Sequence, residues 1–547
     1  MLNRFKESLF VIFLFNFLVA CILYLPSLHS KFVYDINQHI ITYDQLGWQG
    51  FWSCWGEKTI HWGINCINFL IWRLAGVNDI VWFIIAMAMH GLVATLLYRL
   101  LNLMLDTIPT KHLWGSIVAS VFLFLVSPYH SETIVWGATL FYLTFAASFL
   151  GIIICFVHYG EKPKWWYLFV LYALYLLQVV SYEEFFIIPF VLAVFYWLWF
   201  ETGRKVIPLQ QFIFKFFLPQ IGLILLYFLW NKCRIGTVVG HYGAKAHFNF
   251  DPYLITANFT KYLLKFIYVH LFFSYTIRDR IYTLLEQHRV IWLLLTCYSW
   301  LAVIVVYLLA RRKVTPVWTV ILSLAMLYVL SLLPVINLYF PFSKDIEQER
   351  YLYTPALFFY PLLVLVLFQL LGRAGYFFIS IAIIVSLFFL HRNVYCWEQV
   401  GRIYNGLAKG YKWQNARRVF IIANADNYNG AYLLRDMPES AFAEVLYVQR
   451  HIDISKNSYD ILQYNLLSPT DSCYHEIVDS NTIRLTIAQG GGWLWYKSFG
   501  ANSYDSTLYQ VTVNQWYPSF TVRFKDKQPD DVYIYAIQDR WIEIKDF

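Results

Sequence analysis

The stretch LFVIFLFNFLVACILYLP (residues 9–26) decides the fold. It carries no charged side chain and comes close to the roughly 20 apolar residues a helix needs to cross a bilayer. It is too long for the apolar core of a signal peptide, and no small-residue cleavage site follows it. The rest of the chain reads the same way. Of its 547 residues, 59% are hydrophobic, 20% aromatic and 14% charged, and the mean hydropathy is +0.50. Soluble domains run nearer about a quarter charged. The chain therefore reads as a polytopic membrane protein. Its net charge of +8 reports membrane orientation rather than a nucleic-acid partner, because Lys and Arg gather on the cytoplasmic side.

Further apolar runs predict spans near 80–104, 113–127, 133–158, 165–180, 185–200, 212–230, 290–310, 316–336, 354–371 and 375–391, giving about 11 transmembrane helices. Arg4 and Lys6 place the N-terminus inside. Counting onward, Lys111, Lys162, Lys164, Arg204, Lys205, the Arg311–Lys313 triplet and Arg373 also fall inside. That agreement requires ITANFTKYLLKFIYVHLFFSY (255–275), with Lys261, Lys265 and His270, to be an interfacial helix rather than a span. IHWGINCINFLIWRL (60–74), broken by His61, Asn65 and Asn68, reads as a second interfacial helix. Residues 1–391 then form an all-α membrane domain with outer loops at 27–79 and 231–289.

Residues 392–547 have the composition of a soluble segment. NTIRLTIAQ, LYQVTVNQW, SFTVRFKDK and DVYIYAIQDRWIEIKD alternate polar and apolar, the period of half-buried strands. QGGG and QPDD separate them as turns. The expectation is a small extracytoplasmic β-rich (α+β) domain with helix at its start, over 398–417. The eight cysteines are scattered and form no metal-binding spacing. Cys54 and Cys66 share one outer loop and could bridge there.

Polar groups at the mouths of spans are costly and need a reason. Four clusters fall on the outer face. SKFVYDINQHI (30–40) holds Asp35, Asn37, Gln38 and His39. SPYHSETIVW (127–136) holds His130 and Glu132. SYEEFFIIP (181–189) holds Glu183 and Glu184. KDIEQERYLYTP (344–355) holds Glu349 and Arg350. Arg234, His241 and Tyr242 stand in the second outer loop. Taken singly, each has a bland reading as a helix cap, a solvated helix end or an interfacial anchor. Together they suggest one polar cavity. A carboxylate held within hydrogen-bond reach serves as general base toward a hydroxyl, and an Arg in dry surroundings grips a phosphate in bidentate fashion. That set suits a reaction between a lipid-borne phosphate and an outside acceptor. The cofactor stays open; Mg2+ and Mn2+ are the hard ions such carboxylates could ligate.

In order and in residues, the four clusters resemble those of the C-type (GT-C) integral-membrane glycosyltransferases, in particular the membrane half of transmembrane and tetratricopeptide-repeat O-mannosyltransferases and their bacterial relatives. FVYDINQHI is similar to the family's acidic motif after the first span. SPYHSETIVW is similar to its His-x-Glu motif through Pro128, His130, Glu132 and Trp136. SYEEFFIIP is similar through Ser181, Glu183 and Pro189, and ERYLYTPA (349–356) is nearly the family's segment. The resemblance covers roughly residues 1–390. It implies a polyprenyl- or dolichyl-phosphate sugar donor and an extracytoplasmic acceptor, which could be a protein, a lipid or a glycan. It also implies Asp35 as catalytic base, Glu183 as second acid and Arg350 at the donor phosphate; Glu349, His130, Glu132, His39, Asn37, His61, Arg234 and Tyr242 are the further residues expected to line the site. Ile36 stands where the family has a second acid, Tyr182 where it has Lys, and His61 lies where it has Tyr-Arg-Pro. A lipid-linked-glycan transporter or flippase and an oligosaccharide ligase are the alternatives. A transporter would carry charges through mid-membrane, and the spans are nearly free of them.

Overall fold

The computed structural model describes residues 8–53, 62–106, 113–181, 183–204, 206–238, 251–288, 316–338, 349–434, 441–468, 470–488, 492–494, 503–514 and 519–547. Among these, seven helical segments are long and apolar enough to cross a membrane: Leu9–Ser27, Asp79–Leu105, Gly137–Glu161, Glu183–Glu201, Leu209–Ile235, Pro316–Ile336 and Glu349–Gly410. The pair Trp114–Leu125 and Pro128–Val135, bent by 49°, makes an eighth if it is one span. The chain is a multi-pass membrane protein.

The difference from eleven has physical sources. Trp165–Val179 is only 15 residues long, about 22 Å at 1.5 Å per residue against a hydrocarbon core of about 30 Å. The run 290–310 lies outside the described residues. The runs 354–371 and 375–391 are two helices, α1 (Tyr353–Leu371) and α2 (Gly375–Gly410), joined by one turn of 3-10 helix over Gly372–Ala374. The chain folds back between them, so that Glu349 before α1 lies 3.1 Å from Asn393 of α2, and the segment Glu349–Gly410 comprises two helices rather than one.

The first span faces outward along most of its length. Phe10, Val11, Phe15 and Ile22 are exposed, while Asn16, Ala20 and Tyr24 are buried. Asn16 donates to Thr95 Oγ1 at 3.1 Å, a polar tie between helices that lipid cannot supply. The segment 255–275 does not run as one helix. Pro252–Phe266 ends before Tyr268, whose φ is +65°. Lys261 and Lys265, expected at a bilayer interface, are buried in protein. Asn258 donates to Ile336 O at 2.6 Å and Tyr262 to Val335 O at 3.1 Å, and Phe266 stacks on Phe359. These contacts pull the helix into the bundle.

The boundary expected at residue 392 falls inside a helix. α2 has 36 residues, about 54 Å at 1.5 Å per residue. Its buried stripe continues through Asn393, Trp397, Val400, Gly401, Tyr404 and Leu407: Asn393 and Trp397 meet the 128–131 turn, Tyr404 meets Asn37, and the last turn packs on the C-terminal domain. The expected helix over 398–417 is the end of this helix. Trp541 and Arg450 dock on its last turn through Leu407 O at 2.9 Å and Ala408 O at 3.1 Å.

The C-terminal domain contains two sheets. One has the order β11-β10-β1-β3-β6, with β2 paired to β1; the other is antiparallel, β4-β5-β9-β8-β7. The strands are β1 Arg418–Tyr428, β2 Ala431–Tyr432, β3 Ser458–Leu466, β4 Ser472–Asp479, β5 Thr482–Ala488, β6 Gly492–Leu494, β7 Ser503–Asp505, β8 Tyr509–Asn514, β9 Ser519–Phe524, β10 Asp531–Ile537 and β11 Arg540–Glu543. The four alternating segments became β5, β8, β9 and the β10–β11 hairpin. β1 is parallel to both β3 and β10, and α3 (Ala441–Arg450) crosses from β1 to β3. Its almost continuous burial hides it from a period-2 search, as expected of a parallel strand covered on both faces. Cys54 lies outside the described residues, and Cys66 is a free thiol.

Candidate functional site

Four of the residues in ERYLYT (349–354) reach two of the other segments singled out above, 127–136 and 181–189. Glu349, fully buried, accepts from Ser131 Oγ at 3.0 Å and from Asn393 Nδ2 at 3.1 Å. Arg350 pairs with Glu132. Its Nη1 meets Oε1 and its backbone N–H donates to Oε2 at 2.9 Å, so both carboxylate oxygens hold one residue. Tyr353 shares a hydrogen bond with His90 Nδ1 at 2.7 Å and packs on His130, ring centroids 4.6 Å apart. Thr354 donates to Glu184 Oε2 at 3.0 Å. The segment is one 3-10 turn, Glu349–Leu352, running straight into α1. That tight geometry presents successive side chains in different directions.

The Glu132 side chain is fully enclosed, and that of Arg350 is 19% exposed. Its guanidinium sits 5.6 Å from the Trp136 ring and 4.7 Å from Tyr351. Nη2 donates to Tyr351 Oη at 3.2 Å, and Nη1 makes a longer contact of 3.5 Å with Tyr432 Oη. A guanidinium has five N–H donors; among the described residues these contacts leave some of them uncommitted. Truncating one partner of such a buried pair typically costs about 3–5 kcal/mol, because the other charge is left uncompensated.

The 30–40 loop is pinned to the same wall. Trp136 Nε1 donates to Val33 O at 3.0 Å, and Gly137 N donates to Lys31 O at 3.1 Å. Ser30 Oγ donates to Trp397 O at 2.6 Å. Tyr34 has φ +62°, a left-handed conformation that costs a non-glycine residue roughly 1–2 kcal/mol. Its ring stacks on Tyr432 at 4.6 Å and meets Trp136 edge-on at 5.7 Å. Asp35 follows at the N-terminus of the helix Ile36–Leu46, half-buried, and its side chain does not cap that helix. Asn37 Oδ1 accepts from Tyr404 at 3.1 Å, and His39 is buried beside Tyr43.

Lys31 was not singled out from the sequence. Its side chain is fully buried, its Nζ donates to Ile134 O, and burial pulls its ammonium from 10.5 down to about 7 despite the opposing charge of Asp79. The only trace in sequence is a Lys between an apolar span and the Phe-Val pair.

Other expected site residues lie elsewhere. Glu183 Oε1 accepts from Tyr227 at 3.1 Å, while it is the neighbouring Glu184, buried at 1% exposure, that touches Thr354. His130 is enclosed by Phe124, His90 and Tyr353 inside the bundle. Glu349 and Glu132 serve as internal ties, so neither reaches outward as a ligand would require. Arg234 lies exposed at a helix end over Trp230, 5.6 Å from its ring. His61, His241, Tyr242 and Tyr182 lie outside the described residues. Among the described residues no three His, Cys, Asp or Glu side chains gather as a metal site.

A cavity of about 340 Å³ lies at the other end of the helix Ile36–Leu46, lined among others by Asp44, Trp72, Arg73, Tyr447 and His451. Tyr447 donates to Asp44 at 2.5 Å across it. No family model matches the chain, and no curated protein matches it.

Proposed function

We propose that the protein is a membrane glycosyltransferase of GT-C type. It would transfer a sugar from a polyprenyl- or dolichyl-phosphate donor to an extracytoplasmic acceptor, on an eleven-span scaffold with a cytoplasmic N-terminus and an outer C-terminal domain. The observation that carries this reading is the convergence at Glu349–Thr354. One fixed Arg, backed by a buried carboxylate and walled by aromatic rings, stands beside a loop that ends in a half-buried Asp.

The chemistry follows from those groups. Asp35 accepts the acceptor's hydroxyl proton as the oxygen attacks the anomeric carbon. The bond from that carbon to the phosphate oxygen breaks, and its electron pair leaves with the lipid phosphate. Arg350, its charge oriented by Glu132, stabilises the departing phosphate; one such contact is typically worth about 3 kcal/mol in the transition state. The single displacement inverts the anomeric centre, and Asp35 then releases its proton to water.

The test is transfer from a panel of polyprenyl-phosphate sugars to envelope acceptors, with the wild type and Asp35→Ala reconstituted in nanodiscs. Transfer by the wild type that the variant loses supports the reading. Equal transfer by both removes Asp35 as base.

A further inference from the structure

We infer that the C-terminal domain completes the site through Tyr432, a positioning residue that sets Asp35 through Tyr34 and confines Arg350. This rests on the glycosyltransferase reading above.

The sequence NADNYNGAYLLRD (424–436) reads as no part of the membrane half. In the structure Asn429 (φ +53°) and Gly430 (φ +92°) form the two-residue turn between β1 and β2. Asn-Gly is the pair that adopts positive φ at both central positions most readily. Asn427 Oδ1 accepts from Gly430 N at 3.1 Å and fixes the turn. The hairpin projects Tyr432 out of the sheet and onto the membrane half.

There its ring meets three groups of the candidate site. It stacks on Tyr34 at 4.6 Å with an interplanar angle of 22°, and lies 5.1 Å from Trp136. Its hydroxyl stands 3.5 Å from Arg350 Nη1. Tyr34 holds a left-handed backbone immediately before Asp35, and such strain persists only where surroundings over-determine it. Tyr432 and Trp136 are those surroundings. The domain also grips the far end of the same helix through Tyr447 and Asp44, so the helix that begins at Asp35 is held at both ends. A domain that only decorated the outer surface would need neither contact.

The ring, more than the long hydroxyl contact, carries this role. The full-length protein in nanodiscs is compared as wild type, Tyr432→Phe and Tyr432→Ala. Measured are kcat and KM for a polyprenyl-phosphate hexose, binding of undecaprenyl phosphate, and thermal unfolding. Tyr432→Ala is expected to lower kcat by about 10²-fold, the loss that small misplacements of reacting groups produce, and to weaken undecaprenyl phosphate binding. Tyr432→Phe keeps the stack and is expected to stay close to the wild type. A Tyr432→Ala protein that unfolds earlier but keeps kcat, KM and binding overturns the inference while leaving the transferase reading intact. Wild type that neither transfers sugar nor binds undecaprenyl phosphate overturns that reading, and this role with it. If Tyr432→Ala does not fold, Tyr432→Leu, which fills the space without a planar ring, gives the same comparison.

Discussion

Glu132 spends both of its carboxylate oxygens on Arg350, one on the guanidinium and one on the backbone N–H. The two residues are 218 positions apart in the chain. The pair joins the bend after the 114–125 helix to the start of α1. It also fixes the direction of the Arg350 guanidinium.

Removing the acid should therefore harm both stability and chemistry. Glu132→Gln leaves the guanidinium without a counter-charge, at a cost of at most about 3–5 kcal/mol. Arg350→Lys keeps the charge but loses the planar fork, and its main effect should be a raised KM for the lipid-phosphate donor. Thermal unfolding and donor titration separate the two. A Glu132→Gln protein as stable and active as wild type would show that the pair is idle.

Asp35→Asn should behave differently. Asn keeps the size of this half-buried side chain at the start of its helix, so the exchange should change unfolding temperature little. Transfer should fall by 10² or more, the scale of a lost general base. The check is the two measurements on one preparation; a large drop in unfolding temperature would make Asp35 structural.

Gly137 allows the 30–36 loop to approach. A Cβ there would lie 2.7 Å from Lys31 O and 3.3 Å from Ile36 Cγ1. Gly137→Ala should push the loop off the Trp136 wall, costing about 1–3 kcal/mol as overpacking does, and should lower transfer together with stability. Unchanged transfer in this variant would mean that the loop's position is not critical.

Lys31 should leave a pH signature. Its ammonium titrates at about 7 when folded and at 10.5 when unfolded. Between those values the unfolded chain binds a proton that the folded chain has released, so stability rises with pH across the window. Below about 7 the cost of the buried charge is present in full. Unfolding temperature of the wild type relative to Lys31→Met should therefore climb from pH 7 to pH 10; parallel curves would contradict the burial of a charged amine.

Much of the site was legible because motif residues sit at span ends, where polar groups are expensive enough to stand out. The partners were not legible. Nothing local distinguishes Glu184 from Glu183, yet a single turn of 3-10 helix sends one toward Thr354 and the other toward Tyr227. His130 looked like a ligand from its place in SPYHSETIVW; a three-ring cage of Phe124, His90 and Tyr353 encloses it. Tyr432 was hidden because its hairpin matters only once the 36-residue helix has carried the domain back over the 30–40 loop.

By itself the sequence determined the membrane class, most of the spans and the alternating strands β5, β8, β9, β10 and β11, because lipid and the pleat each impose a period that individual residues must obey. Only the tertiary structure decided that Arg350 belongs to Glu132 and that the C-terminal β domain presses on Tyr34. Those contacts join residues hundreds of positions apart. They depend on how helix ends, a left-handed Tyr and an Asn-Gly turn fit in space, which no local pattern encodes.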